Sequence, residues 1–438
     1  MFNKKTVRDI DLKSKRVLLR ADYNVPMKNG KITDDYRIRQ SVPTVNYIWQ
    51  QYESSLVIIS HLGRPDGKPN KELSLEPVAK RLSKLLGKEV AFVTDCIGDQ
   101  AKTACDNLKP GQILLLENIR FHPEEEKNDK DFAKAIVRAS GAEVFVQDGF
   151  GVVHRAHAST EAIARLLPAV AGLLLEKEVT AITTVIEKPE RPLVAVVGGA
   201  KISDKIDVLN RFVNIADGVA VVGALANNFL MAEGYKIGDS LIEPAALGIA
   251  RDVLAKARKV ERERPFNFLV PVDAVVSTSV DGRSPTRIVD ISSQSLADIQ
   301  AYPKTPQHSS YNVRSNELIL DIGPISAGLI AGALKMARTV VWAGTCGVTE
   351  TKGINGAHDP FAHGTRVVVE AMIGRSNVHK NKPFTLVGGG DTVGYVESQN
   401  MVEDFSHVST GGSASLELLA GKKLPGVEAL LPARGPTL

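Results

Sequence analysis

Short apolar runs alternate along this chain with stretches whose apolar residues recur at helical spacing. In the first half the runs are Arg16-Val-Leu-Leu19, Leu56-Val-Ile-Ile59, Ile113-Leu-Leu-Leu116 and Val144-Phe-Val146. Brief β-rich runs bounded by turn residues predict strands buried on both faces of a parallel sheet. Between two of them, Leu75 to Leu86 predicts a helix, with Pro77 near its start and Gly87 as a stop. Leu173 to Ile186 has a second helical pattern, and Glu187-Lys-Pro-Glu-Arg-Pro192 comes next as a charged, proline-rich candidate for a domain boundary. A second series of runs then begins: Leu193 to Val197, Gly218 to Val222, Asn267 to Pro271, Thr339 to Trp342 and Phe384 to Val387. The repeated strand–helix pattern predicts α/β architecture with parallel sheets. Asp281 to Asn316 is polar and weakly patterned, and predicts irregular surface.

The loops at the strand ends carry the chemistry. The first four runs lead into Arg20-Ala-Asp22-Tyr-Asn24, Ser60-His61-Leu-Gly63-Arg64, Glu117-Asn118-Ile-Arg120 and Asp148-Gly-Phe-Gly151-Val-Val-His154-Arg155-Ala-His157. Ligands of open parallel sheets sit beyond the carboxyl ends of the strands. Four strands ending near guanidinium or imidazole therefore predict one basin for a small polyanion. Asp22 and Asn24 equally fit the simpler role of stabilising their own turn, and an isolated His61 or His157 fits a structural histidine.

Strands of the second half end in small residues instead. These ends are Gly198-Gly199-Ala-Lys201 with Lys205, Gly223-Ala-Leu-Ala-Asn227, Gly344-Thr-Cys-Gly347 and Gly388-Gly389-Gly390-Asp391-Thr392. His407-Val-Ser-Thr-Gly411-Gly412 later precedes the helical Ser415-Leu-Glu-Leu-Leu-Ala420. Glycines let backbone N–H groups approach phosphate oxygens, and a helix N-terminus adds a favourable dipole. With two lysines and Asp391, a hard oxygen ligand suited to Mg²⁺, the pattern predicts a nucleotide-phosphate cradle. It is neither a Walker A loop nor a dinucleotide fingerprint.

Bulk properties narrow the class. The 438 residues suggest two domains, or three, and 43% hydrophobic with 24% charged residues is ordinary globular composition. A formal charge of +4 does not describe a nucleic-acid binder. Cys96, Cys105 and Cys346 form no CxxC pair, which favours a reducing compartment. Met1-Phe-Asn-Lys-Lys-Thr6 has no signal-peptide core, and no apolar run approaches membrane-spanning length. A cytoplasmic protein without membrane contact is expected. Glu124 to Asp131 reads as a solvated helix start without a role, and Cys346 as a packing residue.

Together these motifs resemble the phosphoglycerate kinase family, from about Val7 to Leu430. Asp22-Tyr-Asn24-Val-Pro26, Ser60-His61-Leu-Gly63-Arg64-Pro65, Leu116-Glu-Asn-Ile-Arg120-Phe121 and His154-Arg155-Ala-His157-Ala-Ser159 are similar to its substrate motifs. Gly198-Gly-Ala-Lys201-Ile-Ser-Asp-Lys205, Gly389-Gly390-Asp391-Thr392 and His407-Val-Ser-Thr-Gly-Gly412 are similar to its nucleotide motifs. The resemblance implies transfer of a phosphoryl group between 1,3-bisphosphoglycerate and ADP, giving 3-phosphoglycerate and ATP with Mg²⁺. It implies two doubly wound parallel-sheet domains on a helical hinge, and a monomer. Residues 1–178, completed by 407–438, would bind phosphoglycerate, and residues 190–406 the nucleotide. Asp22, Asn24, Arg37, His61, Arg64, Arg120 and Arg155 would hold the acid. Gly199, Lys201, Lys205, Glu350, Gly389, Gly390, Asp391 and Thr392 would serve the nucleotide, with Asp391 on Mg²⁺ and Glu350 near the ribose. Arg37 and Lys201 would act on the transferring group.

Four departures stand out. Ala343 replaces an asparagine whose amide the family aims at the nucleotide, Thr351 to Ala362 and the tail beyond Gly426 are longer than usual, and Ser413 replaces a third glycine. A ligand binder without turnover, or a dinucleotide-dependent oxidoreductase, are the alternatives on a similar sheet.

Overall fold

A computed structural model of the chain describes residues 2–52, 54–291, 313–354, 358–374 and 382–433. The chain divides into two compact units, Met1–Thr183 with Lys422–Leu438, and Thr184–Gly421. The strands of the first unit are β1 (Arg16–Arg20), β2 (Met27–Lys28), β3 (Lys31–Ile32), β4 (Ser55–Ile59), β5 (Val90–Val93), β6 (Ile113–Leu116), β7 (Val144–Gln147) and β8 (Ala169–Ala171). Six of them form one sheet in the order β5-β6-β4-β1-β7-β8, and every pairing in it is parallel. β2 and β3 make a separate antiparallel hairpin.

The four runs expected to end at one basin are thus immediate neighbours, β6-β4-β1-β7. Their interior is apolar on both faces: Val17, Leu18, Leu19, Val57, Ile58, Leu115, Phe145 and Val146 are all buried. Each such side chain contributes about 1.5–3 kcal/mol relative to exposure. Helices cover the faces, with ends set by local signals. Glu76–Leu86 has proline in its first turn and stops where Gly87 turns left-handed at φ 61°. Asp129 accepts from the backbone N–H groups of Asp131 and Phe132 at 2.9 and 2.8 Å and starts Lys130–Ser140.

The second unit repeats the scheme with β9 (Leu193–Val197), β10 (Gly218–Val221), β11 (Asn267–Leu269), β12 (Asp273–Ser277), β13 (Arg287–Asp290), β14 (Leu318–Ile322), β15 (Thr339–Ala343), β16 (Phe384–Val387) and β17 (His407–Val408). Six of these make a parallel sheet in the order β11-β10-β9-β15-β16-β17, and β13-β12-β14 form a small antiparallel sheet.

Three expectations change. The return to the first unit begins at Lys422 rather than residue 407, because β17 joins the second sheet beside Leu386 and Val387. The helix Ser413–Leu419 then packs on Ile206–Ile215. From Gly426 onward the tail does bond the first unit: Gly426 N–H donates to the Val153 carbonyl at 2.9 Å and Leu431 N–H to Ala169 at 3.0 Å. The boundary between units falls at Thr183, between the expected domain limits 178 and 190 but inside the helix Leu173–Glu187, ahead of the proline-rich stretch rather than in it. Finally, Arg287–Asp290 lies in the stretch expected to be irregular but pairs with β12 and buries Val289; residues 292–312 of that stretch lie outside the described ones.

Candidate functional site

In the first unit the loops after β1, β4, β6 and β7 meet in one hydrogen-bonded network. Arg37 lies on the first turn of the helix Tyr36–Tyr52, and its Nη1 donates to Asp22 Oδ2 at 3.1 Å and to the Asn24 carbonyl at 3.2 Å. Asp22 accepts from Asn24 N–H at 3.1 Å, so it does stabilise its own turn while holding the arginine. Asn24 Oδ1 accepts from Gly63 N–H at 2.9 Å, which joins the β1 and β4 loops. Arg120 Nη1 donates to the Gly63 carbonyl at 2.9 Å and joins the β6 loop. Arg155, partly exposed, donates Nε–H to His154 Nε2 at 3.2 Å. Asp22, Asn24, Arg37 and Arg120 are thereby brought together, and His61 Nδ1 lies 3.9 Å from Asp22 Oδ1. Arg64 is exposed, with no bond to this network among the described residues.

Beneath the network sits a buried pair, Arg20 from the β1 strand-end motif and Glu125, which no motif announced. Arg20 is fully buried, donates Nε–H to Ser159 Oγ at 2.8 Å, and holds Nη2 3.2 Å from His61 Nδ1. Glu125 is fully buried too, accepting from Ser159 N–H at 2.9 Å and Ser159 Oγ–H at 2.6 Å. Glu125 therefore corrects the expectation of a solvated charge run. It sits on a turn whose neighbours Glu124 and Glu126 are exposed or partly so, and no local pattern separates it from them. Burial pushes Arg20 down to about 10, which leaves it charged at neutral pH, with Glu125 and Asp22 opposing the shift.

The histidines contribute no charge. Burial first, then the guanidinium of Arg155, pushes His154 down to about 4. Burial and then Arg120 and Arg20 push His157 down to about 3. His61 is held well below its usual range by burial and by Arg20, Arg120 and Arg37. The positive field is thus made by arginines over neutral imidazoles. Among the described residues, His154 Nδ1 and His157 Nδ1 are buried without a hydrogen-bond partner, which leaves capacity for a ligand or its water.

In the second unit a cleft of about 180 Å³ opens at the carboxyl ends of β9, β10 and β15, with Gly199, Gly223, Thr345, Glu350 and Asp391 among its walls. Backbone closeness explains the glycines. A Cβ on Gly344 would lie 2.2 Å from the carbonyl carbon of Gly198, and Gly344 has φ +124°. Lys205 reaches over two of these turns, its Cε and Nζ each 3.5 Å from where Gly199 and Gly389 would carry a Cβ. Burial lowers Lys205 below its usual range, opposed by Asp391 and Asp204. Thr392 Oγ1 accepts from Gly344 N–H at 2.7 Å and ties β16 to β15. Gly390 and Asp391 open the helix Gly390–Ser398, whose N-terminus faces the same region. Lys201 is exposed and does not line the cleft.

The apolar walls were not foreseen. Leu230, Leu241, Pro271, Ala274 and Ile319 give the cleft an apolar side, and Asn227 adds a buried Oδ1 without a partner among the described residues. These come from one helix, a loop and the small antiparallel sheet, and no motif links them in sequence. Ala343, expected at the nucleotide, is fully buried at the end of β15 and is not a wall of the cleft. Thr345 is a wall, but its hydroxyl already donates to the Gly347 carbonyl at 3.0 Å.

An arginine basin in one unit and a glycine cradle with lysine and aspartate in the other are what an anionic metabolite and a nucleotide require. The family model for phosphoglycerate kinase matches residues 7–422. The chain belongs to the phosphoglycerate kinase family. It is 45% identical over 428 residues to the phosphoglycerate kinase of Pelotomaculum thermopropionicum, covering 98% of this chain and 99% of that one. It is 43% identical over 427 residues to that of Moorella thermoacetica, covering 98% and 99%. Among solved structures, phosphoglycerate kinase from Coxiella burnetii matches with TM-score 0.79 at 37% identity, covering 97% of this chain and 98% of that one. The enzyme from Pyrococcus horikoshii matches with TM-score 0.78 at 29% identity, over 97% and 98%. Membership makes the chain a phosphotransferase of glycolysis.

Proposed function

We propose that this protein transfers a phosphoryl group reversibly between 1,3-bisphosphoglycerate and ADP, giving 3-phosphoglycerate and ATP. The observation that carries the reading is the joining of Arg37, Asp22, Asn24, Gly63 and Arg120 across three strand-end loops. Such a site presents fixed guanidinium groups to an anion without having to reorganise. In-line phosphoryl transfer needs positioning and charge stabilisation more than a nucleophile. No general base is required, since a carboxylate attacking ATP is already ionised.

Asp22, Asn24, His61, Arg64, Arg120 and Arg155 are assigned to the acid, and Arg37 to both the acid and the transferring group. Arg155 has no carboxylate partner among the described residues and is free to take the phosphate that does not react. Gly199, Lys205, Glu350, Gly389, Gly390 and Thr392 are assigned to the nucleotide, and Lys201, exposed beside the first glycine turn, to the group in flight. Mg²⁺ is the implied metal, and the donor set fits it: Asp391 offers an exposed carboxylate at the cleft, and Mg²⁺ binds through one or two carboxylates with substrate phosphates and water. When bound there it would neutralise charge on the phosphate oxygens. Hinge closure about the helix Leu173–Glu187 is assigned to bringing acid and nucleotide together, in a monomer.

A cytoplasmic setting is supported by three free, buried cysteines. Among the described residues no helix is long and apolar enough to cross a membrane. The test is a coupled assay of the folded protein with 3-phosphoglycerate and MgATP. Turnover is expected, and rates equal to a protein-free blank would remove the proposal.

A further inference from the structure

Outside the residues assigned to either site, three side chains with sulfur, nitrogen and oxygen donors meet at the carboxyl end of β5. Asp95 and Cys96 lie just beyond that strand, and His122 ends the turn Ile119–Phe121. One donor atom from each lies within 4.8 Å of the other two, and among the described residues no other group of three His, Cys, Asp or Glu does this. We propose that Asp95, Cys96 and His122 bind a single borderline divalent cation of the Zn²⁺ type, with a fourth position open to water.

Several independent features suit that role. His122 Nε2 is already 3.1 Å from Asp95 Oδ1. Donors around tetrahedral zinc at 2.0–2.3 Å lie about 3.3–3.8 Å apart, so closing the set needs movements of about 1 Å. Asp95 and His122 are partly exposed and have that freedom, while Cys96 is buried and fixed. The Asp95 carboxylate is oriented by Cys96 N–H at 2.7 Å and the His122 ring by packing on Phe132 at 5.2 Å between centroids. A surface cavity of about 840 Å³ with Asp95 and His122 in its wall gives an ion a path in. A thiolate, an imidazole and one carboxylate select zinc-like metals over Mg²⁺. The ion would displace the thiol proton to solvent and tie β5 to the turn that carries Arg120.

The test is titration of the reduced full-length protein with Co²⁺, without nucleotide or phosphoglycerate. One equivalent should produce a thiolate-to-cobalt charge-transfer band and the intense visible absorption of tetrahedral Co²⁺, both bleached by Zn²⁺. Cys96→Ser should abolish the charge-transfer band, whereas Cys105→Ser and Cys346→Ser should keep it. His122→Ala, a partly exposed change that should leave folding intact, should weaken Co²⁺ binding by about a hundredfold or more. Zn²⁺ should also raise the unfolding midpoint of the wild type but not of His122→Ala. Absence of the band at a large excess of Co²⁺, or its persistence at full affinity in His122→Ala, overturns the proposal.

Discussion

Replacing Arg37 with alanine separates its hold on Asp22 and Asn24 from its assigned role on the transferring group. The side chain is 28% exposed and its partner Asp22 only 6%. Removing it leaves Asp22 with the Asn24 N–H and with His61 Nδ1 at 3.9 Å, an imidazole that burial and three arginines keep neutral. A buried acceptor stripped of its charged donor costs about 1–3 kcal/mol. Part of the arginine is solvated, so the lower half of that range is expected for stability, and the variant should stay folded at assay temperature. The chemical loss should be larger. If Arg37 meets charge that develops only during transfer, kcat should fall on the order of a thousandfold, about 4 kcal/mol, while both KM values change little. Arg37→Lys keeps the charge but replaces the planar guanidinium, whose Nη1 bonds both Asp22 and Asn24, with a single ammonium, and should fall between.

Arg155→Ala is the control. Its hydrogen bond goes to His154, and its assigned partner is the unreactive phosphate, so its loss should raise KM for 3-phosphoglycerate with kcat largely kept. Steady-state kinetics of the three variants, with urea unfolding alongside, decides the matter. If Arg37→Ala keeps its kcat and raises only KM for the acid, as Arg155→Ala should, Arg37 does not act on the transferring group.

Two other changes test the packing. Burial pushes Asp148 up to about 7 from 3.8, and its Oδ2 has no partner among the described residues, so the folded chain holds a proton there that the unfolded chain releases; that stability is full below about pH 4 and lost as the pH rises to 7. Asp148→Asn should therefore gain on the wild type by about 1.4 kcal/mol per pH unit between about pH 5 and pH 7 in urea unfolding, and a constant difference would be evidence of an ionised carboxylate. Ala343→Asn inserts an amide into a fully buried position, where overpacking costs about 1–3 kcal/mol. It should lower stability without lowering KM for ATP, and a two- to tenfold lower KM would show that this position does reach the nucleotide.

The arginine basin was legible because two local signals coincide there. Four apolar runs fix the strands, and basic residues within a few positions of each run fix what their ends carry. The parallel sheet then puts β6, β4, β1 and β7 side by side, so sequence neighbours of the strands become neighbours in space. The turn glycines of the second unit were legible for the same reason. Close backbone approach at Gly198 and Gly344 leaves no room for a Cβ, and the sequence has to show it.

The features that stayed hidden depend on contacts that no local pattern encodes. Glu125 and Glu126 are consecutive and chemically alike, yet Glu125 is buried under Ser159 near Arg20, while Glu126 stays at the surface, 3.4 Å from Arg120. Which of them turns inward is decided by Ser159, 34 residues away. His122 likewise meets Asp95 across 27 residues, so three donors scattered over two loops form one cluster only after β5 and β6 pair. Ala343 shows the converse error. Its neighbours Gly344 and Thr345 belong to the cradle, but it still pairs with Val197 inside the sheet. Strand ends announce their chemistry within about one residue, and one residue is the difference between the wall of a cleft and the core behind it.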